Sequence, residues 1–109
     1  MEKKTLKLNQ IIQLLNGLNI ISNAGVSIKD VEAAFNMSLY KHEAQKLFDA
    51  FQEASKGMDE KKDNKKELEA LLNKEYEIEV PTLNLELFKG SKVEIPLIAF
   101  DYLREFISK

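Results

Sequence analysis

The chain changes its hydrophobic period near Tyr76, and that change limits the folds open to it. Upstream, apolar residues recur at the spacing of one helix face. Downstream, Tyr76-Glu77-Ile78-Glu79-Val80 and Leu83-Asn84-Leu85-Glu86-Leu87 alternate strictly, so an extended chain turns one side inward and the other to water. Past Pro96 helical spacing returns through Leu97, Phe100, Leu103 and Phe106. The expected fold is α+β: two main N-terminal helices, a short helix, a small antiparallel sheet and a C-terminal helix.

A chain of 109 residues, 44% of them hydrophobic, is expected to form one domain around one core, without metal or disulfide staples. Its organisation reads as a helical part over 1–58, a charged loop over 59–66, and a short helix, β section and last helix over 67–109. Net charge is only −2, which argues against general attraction to phosphate or anionic membranes. The acids gather late: residues 67–109 hold 9 of them against 5 Lys and Arg, so the β section and last helix form the acidic end. No cysteine is present, which excludes disulfides and thiolate chemistry and suits a reducing cytoplasm.

Lys3, Lys4 and Lys7 ahead of an Ile/Leu-rich stretch imitate a secretory leader. Asn9, Gln10, Gln13, Asn16 and Asn19 interrupt that stretch, and Asn9, Gln13 and Asn16 mark instead the wet stripe of an amphipathic helix. That helix is expected over Asn9–Ile21, with Asn9 as N-cap, Leu8, Ile11, Ile12, Leu15 and Leu18 buried, and Asn23-Ala24-Gly25 as its end. Ser27 with Asp30 resembles a capping box that restarts helix, placing Ile28, Val31, Ala34 and Phe35 on one face.

The stripe changes phase at Asn36-Met37-Ser38 and resumes as Met37, Tyr40, Ala44, Leu47, Phe51, Ala54 and Met58. One long helix with a stutter, closed by Gly57, is the preferred reading; a second helix capped by Asn36 or Ser38 is the alternative. Seven of the nine residues from Met58 to Lys66 are charged, which reads as a solvated loop. Glu67–Lys74 follows as a short helix with Leu68, Leu71 and Leu72 on its apolar side. Tyr76–Val80 is a strand ended by Pro81. Leu83–Phe88 and Lys92–Ile95 flank Lys89-Gly90-Ser91 as a hairpin, and Pro96 opens a helix that runs to about Ser108. The expected core is Leu15, Leu18, Val31, Phe35, Leu47, Phe51, Leu71, Leu72, Ile78, Val80, Leu85, Phe100 and Leu103.

Chemistry-bearing residues do not gather in the sequence. His42 is the only histidine; Glu43 beside it points elsewhere on a helix, and Lys46 at i+4 opposes a positive imidazole, so it reads as a helix-surface residue rather than a general base. One histidine without cysteine is a poor start for zinc, and Asp59, Glu60 and Asp63 lack the ligand order of a calcium loop. Gly17, Gly25, Gly57 and Gly90 never cluster into a phosphate cradle. Neither a metal, a cofactor nor an enzymatic activity is expected.

The sharpest local match is similar to a helix-turn-helix over residues 27–50: Ser27-Ile28-Lys29-Asp30-Val31 opening a helix, Asn36-Met37-Ser38 as turn, Leu39 onward as recognition helix. Glu32 stands where close helix packing asks for a small residue, and His42 where an inward apolar residue belongs. A DNA-binding regulator is therefore the second functional expectation.

Over most of its length the chain resembles a family of small uncharacterised proteins from phages and prophages of Gram-positive bacteria. The resemblance rests on Leu8-Asn9-Gln10-Ile11-Ile12 with Leu15-Asn16-Gly17-Leu18, on Leu71-Leu72 leading to Glu75, Ile78 and Val80, and on Ile95-Pro96 with Phe100 and Leu103. It implies a phage or prophage origin and carries over no catalytic or binding residue. The first functional expectation is accordingly a non-enzymatic accessory protein that binds another protein, as an assembly accessory or an inhibitor of a host or defence factor. Candidate contact residues are the outward Glu77, Glu79 and Glu86 of the acidic β section and Tyr102 and Phe106 of the last helix. That helix is apolar around much of its circumference, so a homodimer through it or through the sheet edge is also expected, with a monomer covered by the two N-terminal helices as the alternative.

Overall fold

In the computed structural model, which describes residues 1–56, 62–88 and 95–108 (backbone only for 62–64 and 108), the core forms around a helix near the N-terminus. Strand β1 (Glu2–Lys7) runs directly into α1 (Leu8–Asn23), followed by α2 (Val31–Ser55), α3 (Lys62–Leu72) and β2 (Glu75–Val80). A two-residue β3 (Leu83–Asn84), a 3-10 turn (Leu85–Phe88), α4 (Leu97–Leu103) and β4 (Ile107–Ser108) complete the chain. The α+β expectation holds: helices dominate, and β1 and β2 form one small antiparallel sheet.

Helix α1 begins one residue before Asn9, because the Lys7 backbone N–H donates to Gln10 Oε1 at 3.0 Å and anchors the first turn from outside. It ends as expected, with Gly25 at φ 79°. Its buried surface is wider than one stripe. Ile11, Leu14, Leu15, Leu18 and Ile21 are all buried together with Gly17, because α2 and α4 pack against different sides of it. Ile12, expected inward, is only half-buried.

Helix α2 starts at Val31, not at Ser27. Asp30 is the N-cap, its Oδ1 accepting the Ala33 backbone N–H at 3.1 Å. From there the helix is continuous to Ser55, so the single long helix is the correct reading and Asn36-Met37-Ser38 lies inside it. Continuity fixes the phase. Met37, Tyr40 and Ala44 face the core. In one unbroken helix Phe35 then stands about 140° from Tyr40, and Val31 about 180°. Both were expected in the core; Val31 is 81% exposed and Phe35 62%. Tyr40 is the tie between the helices: fully buried, it donates its hydroxyl to the Ile11 carbonyl at 2.9 Å, and burial holds its phenol in the neutral form far above the usual range.

Strand β2 matches its expected span and alternation, with Ile78 and Val80 buried and Glu77 and Glu79 exposed. Its partner is not the expected one. The register pairs it with β1, Lys3 opposite Glu79, Thr5 opposite Glu77 and Leu6 opposite Tyr76. Of the expected C-terminal hairpin, Lys89 to Glu94 lie outside the described residues, while Leu83–Phe88 is a strand for only two residues. Leu85 and Leu87 belong to the 3-10 turn, and Leu85 is 54% exposed rather than core. The turn instead buries Phe88, which meets Phe100 edge-on with ring centroids 5.9 Å apart.

Two boundaries also shift. Residues 62–66, expected as charged loop, belong to α3, where Lys, Glu, Ala and Leu are good helix formers; Gly57 and the rest of that loop up to Lys61 lie outside the described residues. Leu68, Leu71 and Leu72 are half-buried. The last helix stops at Leu103 rather than near Ser108. Phe106 N–H closes a turn onto the Leu103 carbonyl at 2.8 Å, and β4 pairs in parallel with β3, Ile107 opposite Leu83. Among the described residues no helix is long and apolar enough to cross a membrane.

Candidate functional site

The residues expected to contact a partner fall on separate elements. Glu77 and Glu79 stand on the outward face of β2, Glu86 is exposed on the 3-10 turn, Tyr102 lies in α4 and Phe106 in the turn beyond it. Register changes what the glutamates can offer. Lys7 stands opposite Glu75 and Lys3 opposite Glu79, and Lys3 Nζ lies 3.7 Å from Glu77 Oε2. The sheet's outer face is thus a ladder of opposite charges rather than the acidic surface the sequence suggested. Tyr102 and Phe106 are half-buried. The Tyr102 carbonyl accepts from Gln13 Nε2 at 3.0 Å, which docks α4 on α1, and Phe106 packs against the core. His42 is exposed on α2 near the Glu43–Lys46 ion pair. Among the described residues no three His, Cys, Asp or Glu side chains come together as metal ligands.

The surface that stands out lies on α2. Val31, Phe35 and Leu39 follow one another at i, i+4 and i+8 on the side away from the core, and Leu39 is still 40% exposed. Three large apolar side chains in line form a ridge of roughly a few hundred Å², the size of the largest apolar patch on an ordinary monomer, which is often functional. A recess borders the ridge on each side. On the sheet side a mixed-charge groove of about 390 Å³ is lined by Met1, Lys3, Leu39, Glu43, Glu77 and Glu79. On the α1 side an apolar cleft of about 280 Å³ opens between Leu18, Ile21, Val26, Ile28, Ala34 and Met37, with Ser22, Ser38 and Lys41 also lining it.

Neither the ridge nor the cleft was named from sequence. The usable signal was the phase change at Asn36-Met37-Ser38: carried through an unbroken helix, it requires Val31 and Phe35 to leave the core. The same continuity runs against the helix-turn-helix, since the expected turn is helical and Leu39 onward continues the same helix.

No protein-family model, curated protein or solved structure matches this chain.

Proposed function

We propose that this protein acts without catalysis, by stoichiometric binding of another protein to the N-terminal half of α2. The observation that carries this reading is the exposure of Val31 and Phe35, on a helix whose opposite face supplies Met37, Tyr40 and Ala44 to the core. Large apolar residues aligned on the outer face of a continuous helix add little to folding, and they are the anchors a partner's groove accepts in helix-in-groove recognition. Within this reading the partner is a phage assembly component or a host or defence factor, as the sequence resemblance implies.

The test uses Phe35→Asp. Because Phe35 contributes little to the core, the variant should melt within a degree or two of the parent protein. Immobilised parent protein should retain one host or phage protein in fixed stoichiometry from the corresponding lysate, and Phe35→Asp should not. A partner retained equally by both proteins, or by neither, overturns the proposal.

A further inference from the structure

We infer that the cleft between α1 and α2 is a receptor for one large apolar side chain of a partner polypeptide that carries an acidic residue beside it. The inference rests on reading α2 as the docking element and names the chemistry of what docks there.

Size, charge and continuity carry it. The cleft measures about 280 Å³. That is close to the lower end of the range of pockets that enclose small ligands, roughly 300–1,000 Å³, and leaves ample room for a large side chain. Leu18, Ile21 and Met37 make an apolar floor, each less than a tenth exposed. Lys41 stands at the lining half-buried, with no carboxylate within ion-pairing distance among the described residues. Lys29 is exposed next to Ile28, another lining residue. Asp30, next to Lys29, is engaged in capping α2, and Glu43, two residues from Lys41, pairs with Lys46. A lysine at the lip of an apolar recess, with no counter-charge in ion-pairing reach, favours a carboxylate on whatever fills the recess. Two lysines are too few for a nucleic-acid backbone, which is held by many phosphate contacts. The apolar surface continues out of the cleft past Ala34 to Val31 and Phe35, so the occupant extends beyond one small molecule.

A displayed library of random peptides selected on the immobilised protein tests this. Enriched peptides should share a large aliphatic or aromatic residue adjacent to Asp or Glu. A labelled peptide of that consensus should bind Lys41→Glu and Lys41→Gln at least about tenfold more weakly, the factor expected for one lost charge-assisted hydrogen bond. Ala34→Leu, which fills the cleft, should abolish binding, with thermal melting confirming that each variant is folded. Amide shifts in the nuclear magnetic resonance spectrum should centre on Ile21, Ala34, Met37 and Lys41. No enrichment, a consensus indifferent to charge, or binding that survives Ala34→Leu overturns the inference. Peptide binding lost in Phe35→Asp but kept in Ala34→Leu and Lys41→Glu would uphold the ridge and reject the cleft. The reverse pattern would uphold the cleft and reject the ridge.

Discussion

Gly17 lets α1 and α4 approach closely. A Cβ built on it would lie 2.7 Å from Leu103 Cδ2, 2.8 Å from Leu103 Cγ and 3.1 Å from Tyr102 Cβ. Leu103 is fully buried and has nowhere to retreat. Alanine at an ordinary helix position would gain up to ~1 kcal/mol over glycine, but overpacking a closed interface costs about 1–3 kcal/mol. Gly17→Ala should therefore lower stability, read as an earlier urea midpoint at unchanged slope; a later midpoint would mean that α4 redocks at no cost. Tyr40 sets the opposite kind of constraint. Its hydroxyl reaches the Ile11 carbonyl from a fully buried ring, so Tyr40→Phe should cost about 1 kcal/mol in the same measurement, the net value of one neutral hydrogen bond. Neither role was legible in the sequence. Gly17 looked like one of four scattered glycines, and Tyr40 like one more member of an apolar stripe.

Helix α2 is the element on which the functional reading turns, and its continuity can be tested directly. Ser38 occupies the middle of the expected helix-turn-helix turn and also the interior of the observed helix. Ser38→Pro should destabilise the protein by about 3 kcal/mol, because proline removes a ladder hydrogen bond and clashes with the preceding turn. Near-neutral behaviour in a thermal or urea melt would instead indicate a break at that position. The β section teaches a related lesson about pairing. Alternation identified β2 correctly, down to which residues face inward, but alternation names no partner. Strand β1 carries a single buried residue, Leu6, among charged and polar neighbours, so nothing local marks it as a strand. The long-range fit of its lysines to the glutamates of β2, with Leu6 opposite Tyr76, gives it that role. The alternating segment after Pro81 pairs instead with β4 for two residues and then coils into a turn that buries Phe88.

At the scale of the molecule the protein is elongated, 49 × 27 × 22 Å, with a Cα radius of gyration of 15.2 Å. A compact chain of this length would have roughly 13 Å. The 25 residues of α2 account for much of the difference, since a helix of that length spans about 37 Å and its deeply buried residues end at Ala44. Small-angle scattering at micromolar concentration should return this elongated shape and the 12.5 kDa mass of one chain. The ridge on α2 covers less than the roughly 800 Å² per partner of a standard interface, while the seven-residue α4 keeps Leu97 and Ile98 exposed, with Phe106 and Ile107 beyond it packed back on the core. A doubled mass that Phe35→Asp restores to 12.5 kDa would assign the ridge to a second copy. By itself the sequence determined the α+β class, both ends of α1 to within about two residues, and the span and facing of β2, all properties written in local periodicity and capping; for α2 it gave a preference for one helix over two. Only the tertiary structure decided which strand pairs with β2, which side of α2 is wet, and that an apolar cleft opens beside Lys41. Those outcomes depend on contacts between segments far apart in the chain: an apolar residue at helical spacing is buried only if another element arrives to cover it, and for Val31 and Phe35 none does among the described residues.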